Sequence, residues 1–174
     1  MRFTVYLAAA AATLAVATPA FAQAVTDSAQ AEAHGRVLST HSLINSAPLD
    51  FGTVAASGTS GTVSVTANAL STRASSGGVT LVPSTFSAAR FDGLAAPGET
   101  VLLTLSPSTV GGLTLVDTTG DSITGSLAID SNGLTRTTDV NGNFVVYVGG
   151  DFAIGANQPN GFYTANFDLT ADYQ

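Results

Sequence analysis

The most regular hydrophobic pattern lies at the end of the chain, in residues 161–174 (GFYTANFDLTADYQ). From Tyr163 to Tyr173 apolar and polar side chains alternate without interruption, and the apolar ones are Tyr163, Ala165, Phe167, Leu169, Ala171 and Tyr173. Because successive side chains of a strand point to opposite faces, the pattern predicts a half-buried β-strand whose odd-numbered residues face a core. We expect Gly161 at a point where a side chain would obstruct the turn into Tyr163 or a neighbouring strand.

Shorter alternating runs recur along the chain between turn signals. They cover residues 49–54, 61–67, 79–82, 101–105, 122–129, 144–148 and 152–154, with residues 37–44 as a further candidate for the first strand. Asn-Gly pairs, at Asn132 and Asn141 among others, favour turns with positive φ at both central positions, and Gly125 suggests a β-bulge. Many short strands and no long helix after Ala22 predict an all-β, immunoglobulin-like β-sandwich.

The first residues carry a targeting signal. Arg2 precedes an apolar run, and Ala20-Phe21-Ala22 fits the small-x-small cleavage pattern, so residues 1–22 are interpreted as a secretory signal peptide. Residues 23–36 form an N-terminal extension, and residues 37–174 form the sandwich domain. No stretch of the mature chain has the length and the apolar character of a membrane span.

The extension (QAVTDSAQAEAHGR) and the residue after it show a weak alternation of small side chains. The inward candidates are Ala29, Ala31, Ala33, Gly35 and Val37, which makes this stretch a candidate donor strand, meaning a strand that completes the fold of a neighbouring molecule. A short helix over residues 27–34 is a second interpretation, because Ala, Gln and Glu favour helices. An extension without regular structure is a third.

Composition limits the possible partners and chemistry. The net charge of −7 repels nucleic acid and anionic lipid headgroups. The chain has no cysteine, so an exported domain of this sequence depends on core packing or on partner strands rather than on disulfides. His34 and His41 are the candidate bases near neutral pH; both lie in or beside the extension and are interpreted as solvent-exposed polar residues. No catalytic motif occurs, and we expect no enzymatic activity, no catalytic residues and no cofactor.

Two clusters of oxygen side chains resemble calcium ligands only loosely. Asp117 lies near Asp121, and Asp139 lies near Asn141 and Asn143. Neither cluster has the spacing of a calcium-binding loop, and Asp and Asn also form turns by bonding their own backbone. We therefore interpret both as turns and predict no metal site. Spacing alone leaves a glycosidase carboxylate pair open, but few aromatic residues and no tryptophan are available to line a sugar cleft.

The C-terminal stretch resembles the subunits of bacterial chaperone–usher pili, which share a glycine fourteenth from the end, alternating apolar residues and a penultimate tyrosine. Gly161 and Tyr173 hold those two positions here. The sequence is also similar to a bacterial family of pilin-like domains of unknown function, with Leu49-Asp50-Phe51-Gly52 near its start and Ala156-Asn157-Gln158 before the closing glycine and tyrosine. The resemblance covers residues 49–174. The absence of a disulfide departs from many pilins of the chaperone–usher class.

The resemblance implies an incomplete sandwich that is completed by a donor strand. It implies export through the periplasm to the cell surface, a periplasmic chaperone, an outer-membrane usher and neighbouring copies of the chain as partners, and a structural role in a fimbria with a part in cell adhesion. The chaperone and subunit interface would be Gly161 together with the six apolar residues of the C-terminal pattern. The alternative function is a self-contained secreted module that binds carbohydrate or coats a surface.

Overall fold

The computed structural model of the protein describes residues 30–107 and 112–174. The predicted signal peptide and residues 23–29, including Ala29 and the start of the alternative helix, lie outside the described residues. The chain divides into two units, residues 1–36 and residues 37–174. From Gln30 to Arg36 the first unit has neither helix nor strand, and its side chains are exposed. No helix within the described residues is long and apolar enough to cross a membrane.

The second unit is an all-β, immunoglobulin-like sandwich, which confirms the fold predicted from the alternating pattern. Its described residues contain ten strands and no helix. The strands are β1 (Ser42–Ala47), β2 (Val54–Val65), β3 (Arg73–Leu81), β4 (Ala89–Leu94), β5 (Thr100–Ser106), β6 (Leu113–Val116), β7 (Ser122–Ile129), β8 (Thr135–Thr137), β9 (Asn143–Ile154) and β10 (Asp168–Tyr173).

The strands form two antiparallel sheets. The larger sheet has the order β1-β4-β9-β2-β3, and β7 also pairs with β9 and carries β6. The smaller sheet has the order β10-β5-β8. Strand β9 joins the larger sheet together, because residues 143–148 pair with β4, residues 148–153 with β7 and residues 150–154 with β2.

One apolar cluster fills the space between the two sheets. Leu103 and Leu169 reach it from the smaller sheet, and Val63, Val146 and Phe152 reach it from the larger one. Their burial follows the period of two that the sequence shows, since alternate residues of β5 and β9 are buried. The small sheet therefore packs its inward face on the large one, as in other β-sandwiches.

Two glycines make room for the large aromatic side chains of β9. Gly93 pairs with Phe144 and Gly125 pairs with Phe152. A Cβ at Gly93 would lie 2.1 Å from the Phe144 ring, and one at Gly125 would lie 2.7 Å from the Phe152 ring. The bulge predicted at Gly125 is wrong, because the pairing of β7 with β9 runs without a register shift. The glycine is required there by the ring across the ladder.

The Asn-Gly turns differ from the prediction in their backbone. Gly133 has φ 81° and Gly142 has φ 86°, whereas Asn132 and Asn141 are not among the positive-φ residues. The N–H of each glycine donates to a carbonyl three residues earlier, at Asp130 and at Asp139. A single left-handed glycine at the end of each turn is therefore enough to reverse the chain.

A buried ion pair fixes the turn between β7 and β8. The side chains of Asp130 and Arg136 are both 7% exposed, and the Arg136 guanidinium donates to Asp130 Oδ1. Asp130 Oδ2 accepts the Tyr147 N–H at 2.9 Å, and Arg136 Nη1 donates to the Gly133 carbonyl. The pair thus ties the turn to β9 with its polar atoms satisfied inside the core.

Candidate functional site

Strand β10 has one unpaired edge among the described residues. It lies at the end of the smaller sheet, and β5 is its partner there. The Gln174 N–H donates to the Thr100 carbonyl at 3.1 Å, in the same register as the β10–β5 pairing. Hydrogen-bonded pairs alternate along an antiparallel ladder, so the even-numbered residues of β10 turn their N–H and C=O groups toward β5. The odd-numbered residues turn theirs toward the open edge while their side chains face the core.

The residues just before β10 are less regular than the predicted strand. Thr164 exchanges two backbone hydrogen bonds with Val116 of β6, at 2.9 and 3.1 Å. The Tyr163 hydroxyl donates to the Pro159 carbonyl at 2.8 Å and accepts from Gln158 Nε2 at 2.9 Å. The prediction of one strand over residues 161–174 is therefore wrong in its first half, because a compact loop and a change of partner from β6 to β5 interrupt it. The alternation of burial continues through both halves.

A cleft of about 580 Å³ opens beside this first half. One wall is formed by residues 48–54 and the other by residues 158–167. Its floor is apolar and consists of core side chains from β6, β7 and β9 of the larger sheet, namely Leu113, Leu115, Ile123, Phe152 and Ile154. The Phe51 ring lies 4.8 Å from the Phe152 ring, so the first wall is continuous with the core. The floor residues are buried, whereas Phe51, Val54 and Phe167 in the walls are half-buried, so the cleft is a groove above the core between two chain segments.

The first wall is the rim segment, residues 48–54, which contains the Leu49-Asp50-Phe51-Gly52 motif. Asp50 Oδ1 accepts the Gly52 N–H at 2.7 Å, and Gly52 has φ 71°. Arg73 Nη1 donates to the Phe51 carbonyl at 3.0 Å, and the guanidinium lies 5.0 Å from the centre of the Phe86 ring. The strand predicted over residues 49–54 is therefore wrong, because an Asp turn and a left-handed glycine bend the backbone.

The predicted interface residues fall into two groups along the C-terminal segment. Gly161, Tyr163, Ala165 and Phe167 line the cleft. Leu169 and Ala171 are buried, and Tyr173 is half-buried beside the closed core. The inward orientation predicted for the aromatic residues and Leu169 is confirmed, since all pack on the core cluster. A Cβ on Gly161 would lie 2.5 Å from an Asp117 carboxylate oxygen, so this glycine faces a side chain rather than a strand.

Tyr173 holds the opposite end of this edge. Its hydroxyl accepts the Ala96 N–H at 2.7 Å and donates to the Ser39 carbonyl at 2.7 Å. The His41 ring meets the Tyr173 ring edge-on, with centroids 5.6 Å apart. The chain that enters β1 is therefore fastened to the last residue of β10, far from the cleft along the C-terminal segment.

Within its described residues, the candidate donor strand forms no strand and pairs with none. Ala31, Ala33, Gly35 and Val37 are exposed and outside any strand, and Ala29 lies outside the described residues. The His34 side chain lies 3.3 Å from the Glu32 carboxylate, with both side chains exposed. The exposed placement predicted for His34 and His41 is confirmed.

The two acidic clusters are turns. Asp139 Oδ1 accepts the N–H groups of Asn143 and Asn141, both at 2.8 Å, and these bonds lower the pKa of Asp139. Asp117 Oδ1 accepts the N–H groups of Thr119 and Asp121 in the same way. Among the described residues no three His, Cys, Asp or Glu side chains converge as metal ligands.

A family of domains of unknown function, DUF4402, matches residues 41–173. The chain belongs to the DUF4402 family. No curated protein and no solved structure matches the chain. The DUF4402 match runs from His41, beside the Tyr173 ring, to Tyr173 itself, so it contains both walls of the cleft and the whole of β10.

The sequence analysis did not identify every residue of this DUF4402 cleft. Gln158 and Phe51 belong to motifs that the sequence analysis used only to establish similarity to a family. It did not predict that these residues line a cleft. Arg73, which does not line the cleft but donates to the Phe51 carbonyl of the rim segment, was also not singled out. A lone arginine within an apolar and small-residue stretch is a usable signal, because such a charge needs several acceptors nearby. Phe162, 85% exposed at the mouth of the cleft, breaks the alternation and could have been found from that.

Proline substitutions test which backbone groups of this segment are already paired. Thr164→Pro removes the N–H that donates to Val116 and should lower the free energy of unfolding by about 1–3 kcal/mol, because the carbonyl loses its partner. The N–H of Ala165 points away from β6, because the N–H groups of successive extended residues point to opposite edges. Ala165→Pro removes that N–H and should cost less than about 1 kcal/mol, since proline is tolerated at such edges. Denaturant unfolding of the two variants is the measurement. Equal losses would contradict the assignment of the open edge.

Proposed function

We propose that this protein is a structural subunit of an extracellular pilus that assembles by donor-strand exchange and takes part in cell adhesion. The observation that supports the proposal is the open edge of β10, which continues into an apolar cleft above the core among the described residues. An unpaired edge with a row of free N–H and C=O groups is a template for another strand. A strand inserted there would add backbone hydrogen bonds and cover half-buried wall residues such as Phe51 and Phe167 at the same time.

The inserted strand in the fibre is the N-terminal extension of a neighbouring copy. Its inward candidates are small, so hydrogen bonds along the edge supply most of the binding, each with a net contribution of about 0.5–1.5 kcal/mol. The four described candidates are exposed, which leaves them available to another molecule. Function here is binding, without catalysis and without a cofactor.

The proposed route follows from the same physics. An open sheet edge beside an apolar cleft is prone to aggregation unless something occupies it. A periplasmic chaperone would lend a strand to the subunit after export, and an outer-membrane usher would replace that strand with the extension of the incoming subunit. The fold of the subunit is in this proposal incomplete until one of these strands is in place.

A chain with the donor strand supplied in cis tests the proposal. Residues 37–174 alone are compared with the same domain carrying residues 23–37 after Gln174 through a short Gly/Ser linker. The fused strand should raise the thermal midpoint by roughly 10 °C or more and keep the domain monomeric. The matched control carries Asp in place of Ala29, Ala31 and Ala33 in the fused strand, which puts charges toward the core and should abolish the gain.

The alternative function gives a different result in the same experiment. If the domain of residues 37–174 is a stable monomer and neither fused strand changes its midpoint, the extension is not a donor. The protein would then be a self-contained secreted module, and the cleft would be a site for a small ligand such as a carbohydrate.

A further inference from the structure

The edge that would receive the donor strand is not uniform along its length. The cleft adjoins residues 158–167, and none of its lining residues lies in β10. The Phe167 ring packs against the Phe91 ring, with centroids 6.1 Å apart, at the point where the cleft ends. Beyond it Leu169 and Ala171 are buried and do not line the cleft, so this half of the edge is closed and the half beside the cleft is open.

The two halves require different side chains from an inserted strand. A bulky apolar side chain fits only over the open half, where the cleft gives space above its buried floor. Over Leu169 and Ala171 a large inward side chain would overpack the core, so small residues fit best. The acceptor edge therefore selects a strand with a bulky residue at one end followed by alanine or glycine at alternate positions.

The stretch around the extension has this composition. Val37 is 95% exposed and shares the parity of Gly35, Ala33, Ala31 and Ala29. Val25 shares the parity too, at the other end of the stretch. Either valine could be the bulky residue over the cleft. Whether the inserted strand runs parallel or antiparallel to β10 decides between them.

The fastening of Ser39 to Tyr173 determines that direction. A strand antiparallel to β10 leaves its acceptor at the Gly161 end and enters its own domain two residues after Val37, at that domain's Tyr173 end. The Gly161 end of the acceptor domain then lies next to the Tyr173 end of the domain that donates the strand. A parallel strand would bring two Tyr173 ends together at the place where the acceptor's own N-terminal chain also emerges. Antiparallel pairing is also slightly more stable per residue.

On the basis of the proposed function, we infer that Val37 of one copy is the anchoring residue that fills the cleft of the next copy. Gly35 and the three alanines then lie along the closed half, toward Tyr173. The consequence is a fibre with one polarity, in which every cleft is filled by the residue that directly precedes the neighbouring domain.

Engineered disulfides in the full mature chain test the inference, because the chain has no cysteine of its own. The variant Val37→Cys with Ala165→Cys should give a ladder of disulfide-linked oligomers on a non-reducing gel, since Ala165 lines the cleft. The matched control, Val25→Cys with Ala165→Cys, should give no ladder. A ladder from the control and none from the first pair would overturn the inference in favour of a parallel strand.

A second measurement covers the case in which Ala165→Cys impairs folding. Val37→Ala should increase the rate at which assembled oligomers dissociate by about tenfold, and Val25→Ala should leave it unchanged. Because Val37 is exposed within its own domain, its replacement should not alter the thermal midpoint of the monomer.

The outcomes separate the two claims. If oligomers form and require residues 23–36, but Val37→Ala dissociates at the wild-type rate, the anchoring role is wrong and the proposed function stands. If the mature chain assembles equally well without residues 23–36, the proposed function fails and the inference fails with it.

Discussion

Replacing Asp130 with alanine should lower the free energy of unfolding by about 3–5 kcal/mol, because the change leaves the Arg136 charge buried without its partner. Arg136 is 7% exposed and cannot reach water without opening the turn between β7 and β8. The substitution also removes the acceptor of the Tyr147 N–H. Chemical denaturation followed by tyrosine fluorescence or circular dichroism would measure the loss.

A surface ion pair provides the matched control. Arg90 and Asp92 form a 2.8 Å contact on side chains that are 46% and 40% exposed. Asp92→Ala should cost less than about 1 kcal/mol, because water screens and replaces the lost interaction. Similar losses in the two variants would show that the Asp130 pair is hydrated in solution and does not stabilise the turn as described.

Phe152→Ala should be the second severe change, with an expected loss of about 3–5 kcal/mol. Phe152 is 1% exposed, stacks on Phe51 and fills the space above Gly125. Phe167→Ala should cost only about 1–2 kcal/mol in the isolated domain, because Phe167 is half-buried at the edge of the cleft. The sequence alone predicted that Phe167 faces the core, without showing that it lies at the edge of a cleft.

The comparison of the two phenylalanines also depends on the state of the cleft. If a strand covers it, Phe167 becomes part of a closed core, and the cost of Phe167→Ala should rise toward that of Phe152→Ala. Unfolding of both variants with the extension fused after Gln174 measures this change. An unchanged cost for Phe167→Ala would place the inserted strand away from the cleft.

The fold was predictable where inward positions are large and apolar. The runs over residues 101–105 and 122–129 gave β5 and β7, because Leu103 and Leu127 are typical of core-facing positions. The separate runs at 144–148 and 152–154 belong to the single strand β9, since two glycines between them carry no side chain to continue the pattern. The first strand begins at Ser42, later than the run at 37–44 suggested.

Three strands were missed for physical reasons that differ. In β4 an inward position is Gly93, whose space the Phe144 ring occupies, so the pattern loses one of its apolar positions. Strand β6 is only four residues long. In β8 the buried residue is Arg136, so a charged residue stands where a hydrophobic pattern would have an apolar one.

The candidate site was predictable only in part. Local alternation identifies which side chains of the C-terminal segment face inward, because that depends on the geometry of one strand. The cleft forms only because the rim segment and the loop near Gln158 lie opposite each other in the fold. The two segments are far apart in the sequence, and a local pattern carries no information about such a contact. Arg73 reaches the Phe51 carbonyl from a strand that begins far along the chain from the rim, and sequence spacing gives no sign of this contact.

The central position of β9 has a consequence for folding during synthesis. Chains emerge from the ribosome amino end first, and β2–β3 and β6–β7 can each close as local hairpins as soon as they emerge. Strands β4, β2 and β7 then wait for Asn143–Ile154 before they can join one sheet. Contacts this distant in sequence form slowly. Until β9 arrives, the nascent chain carries several unpaired strand edges, and this interval is when it is most exposed to aggregation.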